Sequence, residues 1–154
     1  MVIAIYTRVS TLDQAQDGYS LDAQQRVLRD WCNTRGHSIY GIYKDAGISG
    51  KDIQHRPAVR EMLAVVESGK IDCVLVWALS RLTRSVADLY AMWETLCRNN
   101  CELISYTETF DTSTPMGRAM MGLLGVFAQM EREITAERVA TAMRERAEQG
   151  GRTC

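Results

Sequence analysis

Four arginines and a serine fall where the loops of this chain are expected to converge. They are Arg8 and Ser10 near the N-terminus, Arg56, and Arg81 with Arg84 in the segment RLTR. Such a set suits a phosphodiester. A phosphoryl transition state gathers negative charge on its equatorial oxygens, and fixed guanidinium forks stabilise that charge. A serine hydroxyl among them is a candidate nucleophile. Arg81 and Arg84 are three apart, so one helical turn would aim both the same way. Asp45, Glu108, Asp111 and the hydroxyls of Thr112, Ser113 and Thr114 complete the polar loop residues. Other chemistries lack their residues. There is no G-x-x-x-x-G-K-[ST] loop, no G-x-G-x-x-G after the first strand and no G-x-S-x-G around Ser10. The two histidines, His37 and His55, and the pair Cys97 and Cys101 do not fall at zinc-site spacing. The residues call for neither a metal nor an organic cofactor.

These side chains need a scaffold, and the hydrophobic pattern supplies one. Apolar, β-branched runs at 2–7, 38–43, 72–77 and 102–106 read as strands. Between them lie helical segments: one capped by Ser20 and ended by Gly36, one from Pro57 to Ser68–Gly69, and one opened by Ser85-x-x-Asp88 and ending near Asn99–Asn100. Thr114-Pro115 opens a final helix over 115–149. Trp31, Trp77 and Trp93 read as core. Alternating strands and helices imply right-handed crossovers: an α/β fold with a mostly parallel sheet of about four to five strands. Ligands of such sheets bind beyond the carboxyl ends of the strands, which selects loops 8–19, 44–56, 78–85 and 107–114.

Composition sets the outer bounds. With 154 residues, 46% hydrophobic and 24% charged, the chain is long enough for one packed domain. Five cysteines without a CxxC, behind an N-terminus that lacks the form of a signal peptide, point to reduced thiols in a cytoplasm. No apolar run reaches the roughly 18 residues of a membrane span. The net charge of −1 gives no general attraction to polyanions. The cations are 15 Arg against 3 Lys, a ratio that phosphate binding and Arg-rich codon usage explain equally well.

The blocks YTRVS, SLDAQ, DAGISG, RP, LSRLTRS and AQMERE follow one another along nearly the whole chain. In that order they resemble the serine recombinases: resolvases, DNA invertases and the large phage and transposon integrases. The segments DGYSLDAQQ and ETFDTSTPMGRAM look most like the large integrase and transposase branch. The resemblance implies that Ser10 attacks the scissile phosphate of DNA, forming a 5′-phosphoserine and freeing a 3′ hydroxyl. It makes Arg8 the nearest phosphate clamp and places Gln24, Asp45, Arg56, Arg81 and Arg84 on the family's catalytic positions. Tyr6, Ser80, Glu131 and Arg132 fall on supporting positions, with Ser80 where many members carry aspartate. Neither histidine is placed to deprotonate Ser10; an arginine acting as electrostatic activator is open. The implied protein is a site-specific DNA recombinase, bacterial or encoded by a phage or mobile element. It is expected to work in the cytoplasm, away from membranes, as a homodimer that assembles to a tetramer on DNA. The alternatives are an inactive regulatory or assembly module of the same fold, and an unrelated α/β nucleotide-binding protein, which the missing Gly-rich loops disfavour.

The resemblance also divides the chain into a catalytic core, 1–114, and an association helix, 115–149. At about 1.5 Å per residue that helix reaches about 52 Å, well beyond its own core. Its first half, AMMGLLGVFAQM, is apolar nearly all round, with Met120, Leu123, Leu124 and Phe127 on more than one face. A partner subunit is expected to cover what one sheet cannot. Gly117, Gly122 and Gly125 are expected to permit close approach. The second half is charged, with Ile134, Val139 and Met143 interspersed. The DNA-binding region of such proteins is expected beyond residue 154.

Overall fold

A computed structural model describes residues 1–9, 20–46, 56–83 and 85–150. Strand β1 (Val2–Val9) is the centre of the sheet, between β2 (Ser38–Ala46) and β3 (Cys73–Val76). Its two faces are both covered, which is why VIAIYT reads as a continuous apolar run rather than an alternation. Outside β3 lie β4 (Glu102–Ser105) and the short β5 (Phe110–Asp111), giving the order β2-β1-β3-β4-β5. The first four are parallel; β5 returns antiparallel to β4.

Helix α1 (Leu21–Thr34) begins at Ser20, whose hydroxyl accepts the Ala23 N–H at 3.2 Å. Gly36, at φ +71°, turns the chain out of it in a conformation that costs glycine nothing. Helix α2 (Pro57–Glu67) starts with proline in its first turn, α3 (Leu79–Leu82) is a single turn, and α4 (Val86–Arg98) is capped by Ser85. Helix α5 runs from Pro115 to Gly150, its start held by Thr114 Oγ1, which accepts the Gly117 N–H at 3.0 Å.

The connection β1–α1–β2 moves toward one sheet edge, and β2–α2–β3 moves back across β1. With right-handed crossovers that reversal puts the helices on opposite faces. Leu28 and Cys32 of α1 pack on Ile3, Ile5, Cys73 and Leu75. On the other face, α2, α4 and Met121 of α5 pack on Ala4, Tyr6, Val74 and Leu103. The reversal also opens a crevice at the carboxyl ends of β1 and β3.

Several expectations change. Strands β1 and β2 run on to Val9 and Ala46, because Arg8 and Asp45 stay paired in the ladder despite their polar side chains. Arg8 and Asp45 are therefore strand residues. The turn α3 is too short to leave a periodic signal. Thr112, Ser113 and Thr114 do not reach the strand-end crevice: the β4–β5 hairpin carries them away. Thr112 Oγ1 bonds the Leu103 N–H, Ser113 bonds Asp111, and Thr114 caps α5. Trp77 is buried, whereas Trp31 and Trp93 are only half-buried.

Helix α5 meets the body along one narrow seam of Gly117, Met121, Leu124, Ala128 and Glu131, spaced alternately four and three apart. A Cβ on Gly117 would lie 1.8 Å from the Asp111 carbonyl oxygen, so only glycine fits there. Gly125 faces the Tyr90 ring, whereas Gly122 faces open space. Leu124 belongs to the seam rather than to a free face. After Glu131, every residue through Gly150 is exposed. Among the described residues no helix is long and apolar enough to cross a membrane.

Burial pushes the Cys73 thiol well above its ordinary value and that of Cys101 up to about 12, and raises Cys32 as well. The folded chain thus keeps protons that the unfolded chain releases near pH 9. Stability is present in full below that pH and is lost as pH rises toward the folded values. Above it, urea unfolding is expected to lose up to about 1.4 kcal/mol per pH unit for each such thiol. Cys73→Ala should flatten the slope; an unchanged slope would contradict this assignment.

Candidate active site

The carbonyl of Arg81 is the junction of the strand-end crevice. Arg8 Nε donates to it at 2.9 Å from the end of β1, and Arg56 Nη2 donates at 3.3 Å from the start of α2. Arg8 Nη2 also donates to the Ser80 carbonyl at 2.9 Å. One turn of helix after β3 is thereby tied to its neighbour strand through a guanidinium with no exposure at all. Arg81 itself is buried. Ser80 contributes its backbone carbonyl, while its side chain lies on the exposed surface.

Tyr6 organises the β2 side. Its hydroxyl donates to Asp45 Oδ2 at 2.9 Å and accepts from Arg56 Nε at 3.0 Å and Nη2 at 2.6 Å. Asp45 Oδ1 accepts the Ala58 N–H at 3.3 Å, a first-turn amide of α2 where a carboxylate is favoured. Burial above all pushes the Tyr6 phenol beyond its ordinary range, only partly opposed by the Arg56 charge. Tyr6 therefore stays a neutral donor. Arg56 Nη1 is buried and finds no hydrogen-bond partner. Among the described residues the buried formal charges are three guanidiniums, Arg8, Arg56 and Arg81, against one carboxylate, Asp45.

The remaining site residues divide. Ser10 and Arg84 lie outside the described residues, as does His55. Gln24 is fully buried on α1, with both amide atoms unpartnered, and no hydrogen bond joins it to the arginines. Glu131 binds the start of α4, at Ala87 and Ser85, and not the arginine cluster. Arg132 is exposed and donates to Gln129 on its own helix. Glu108 has a structural place that its loop position did not disclose: it accepts the Leu79 N–H and the Ser105 hydroxyl, fixing the start of α3. No group of three or more metal-ligating side chains occurs among the described residues.

With this geometry in place, similarity to known proteins can be read. The family model for the resolvase N-terminal domain matches residues 3–152. The chain belongs to the resolvase family of serine recombinases. It is a site-specific recombinase catalytic domain. It is 37% identical over 145 residues to the DNA-invertase hin of Salmonella typhimurium, covering 94% of this chain and 68% of that protein. It is 36% identical over 150 residues to the serine recombinase gin of Escherichia phage Mu, covering 96% and 70%. Among solved structures, the N-terminal catalytic domain of TP901-1 integrase matches at 36% identity and a TM-score of 0.77, over 87% of this chain and 98% of that one. A resolvase family site-specific recombinase from Streptococcus pneumoniae matches at 31% identity and a TM-score of 0.80, over 96% and 99%. Invertases and an integrase thus lie at similar identity.

In this recombinase the Tyr6 hydroxyl bridges a buried carboxylate and a buried guanidinium. Tyr6→Phe is expected to leave both under-bonded and lower stability by about 2–3 kcal/mol in urea unfolding. An unchanged unfolding midpoint would show that the bridge is dispensable.

Proposed function

We propose that the chain cleaves and rejoins DNA through a covalent serine intermediate, with Ser10 as nucleophile and Arg8, Arg56, Arg81 and Arg84 around the scissile phosphate. The observation that carries this reading is the pair of buried guanidiniums, Arg8 and Arg56, donating to the backbone carbonyl of a third buried arginine, Arg81. Guanidiniums gathered and fixed at a strand-end crevice suit a phosphodiester that develops further negative charge during reaction. Ser10 directly follows β1 in sequence, two residues after Arg8. The relatives named DNA-invertase supply DNA as the source of the phosphodiester.

In the step proposed, the Ser10 Oγ–P bond forms as the P–O3′ bond breaks. The serine loses its proton, the departing 3′ oxygen gains one, and the phosphate stays joined to the 5′ end. The reverse step reseals a strand, so no external energy source is needed. Asp45 and Tyr6 hold Arg56, and Arg8 holds the Arg81 turn. Gln24, whose buried amide has no partner, is assigned a supporting role in the same reading. Residues 1–114 form the catalytic unit in this reading.

Helix α5 is the association element. Met116, Met120, Leu123, Phe127, Met130 and Ile134 are exposed and again alternate by four and three, forming a second stripe one residue out of phase with the seam. That spacing fits the same helix from another copy of the chain, packed side by side. In this reading such packing forms a dimer, which assembles to a tetramer on DNA.

Two experiments check this reading. Duplexes that become covalently bound to the wild-type protein are recovered from a randomised pool and used to measure adduct formation. Ser10→Ala should abolish the adduct, and Arg8→Lys or Arg81→Lys should slow it about a hundred- to a thousandfold, since lysine lacks the planar fork. Adduct from Ser10→Ala would refute the nucleophile. Separately, sedimentation at high micromolar concentration should show association of the wild type and a monomer for Phe127→Glu. A monomeric wild type, or unchanged association of the mutant, would rule the stripe out.

A further inference from the structure

We propose that Glu131 is a positioning residue that sets Arg84 through the first turn of α4, coupling helix α5 to the phosphate site. The inference rests on the reading above, in which Arg84 faces the phosphate. Its own basis is the geometry at the start of α4. Glu131 Oε2 accepts the Ala87 N–H at 2.8 Å and the Ser85 hydroxyl at 3.4 Å, while Ser85 Oγ accepts the Asp88 N–H at 3.3 Å. First-turn amides have no partner within their own helix, and a negative charge is favoured there. Here a different helix supplies that charge.

The position of this cap gives it consequence. Arg84 is the single residue between Thr83 and Ser85. Before it, Thr83 is buried, its N–H donating to the Leu79 carbonyl at 3.1 Å, two residues after the Arg81 carbonyl held by Arg8 and Arg56. After it, Ser85 is held by Glu131, and its N–H donates to Thr83 Oγ1 at 3.3 Å. One residue thus joins an anchor in the arginine cluster to an anchor on α5. Glu131 is also the last seam residue of α5, beyond which that helix leaves the body. A shift of α5 against the core reaches Ser85 directly, the residue that follows Arg84 in sequence. The same helix carries the exposed apolar stripe, so a partner seated on that stripe would act on the site through this bond.

Length separates positioning from charge. Glu131→Asp keeps the charge and shortens the reach by one methylene; Glu131→Gln keeps the reach and the acceptor oxygen and removes the charge. Single-turnover adduct formation on the recovered duplexes is measured at saturating DNA, together with the half-saturating DNA concentration, well below the unfolding temperature of each variant. Glu131→Asp should slow the saturated rate about ten- to a hundredfold without moving half-saturation, as expected for a displacement of about 1 Å, and Glu131→Gln should stay within about threefold. In an Arg84→Ala background, Glu131→Asp should have no further effect. A wild-type rate for Glu131→Asp, a slower rate for Gln than for Asp, or a full additional loss in the Arg84→Ala background would each overturn the proposal. In the last case Arg84 keeps its place at the phosphate. If Arg84→Ala alone leaves the rate unchanged, the reading of Arg84 fails, and this inference with it.

Discussion

A guanidinium without solvent access must place its donors on the protein, and Arg8 places two of them on consecutive carbonyls of the neighbouring connection. The rest of the crevice depends on this bond pattern. It locks the turn after β3 to the end of β1, so Arg81 leaves the sheet in one orientation. The Arg81 carbonyl, fixed in this way, then serves as an acceptor for Arg56, and the Tyr6 hydroxyl holds the other side of that guanidinium. Tyr6 and Arg8 from one strand, Arg56 at the start of α2 and Arg81 in α3 are thereby set relative to one another through hydrogen bonds to a hydroxyl and to backbone carbonyls. A set of guanidiniums held in fixed positions suits the negative charge of a phosphodiester.

Helix α5 shows a different constraint. Two apolar stripes run along it one residue out of phase, and the body occupies only one. A strict alternation of four and three keeps a stripe straight along a packed partner, which explains both the single seam against α4 and the regularity of the stripe left exposed. The seam's closing residue is the carboxylate that caps α4. In the proposed reading, association and chemistry meet at this bond.

Much of the fold was legible because its signals are local. Ser20, Ser85 and Thr114 cap helices through their own neighbours, and the apolar runs mark central strands. Arg8, Arg56 and Arg81 stood out by type, and the family blocks implied a role for each, but Arg8 lies in a strand and not in a loop. What escaped depended on distant backbone. That Arg8 would bond the carbonyls of Ser80 and Arg81 has no side-chain signature, since every residue carries a carbonyl. The Glu131 cap joins residues 44 apart in sequence. Which face of an almost wholly apolar helix meets the core was also hidden: composition cannot distinguish Leu124 from Leu123, although a rotation of about 100° separates them. Thr112 to Thr114 looked like site hydroxyls because the return of β5 is only two residues long.

The central claim is that the hydroxyl following β1 becomes bonded to DNA phosphate among these arginines. Tandem mass spectrometry of the trapped adduct tests it most directly. Trypsin releases Val9–Arg26, a peptide that carries Ser10, Thr11, Tyr19 and Ser20 as competing hydroxyls. The expected result is a 5′-phosphorylated nucleotide mapped to Ser10. A nucleotide on any other residue, or one joined through its 3′ phosphate, would contradict the account.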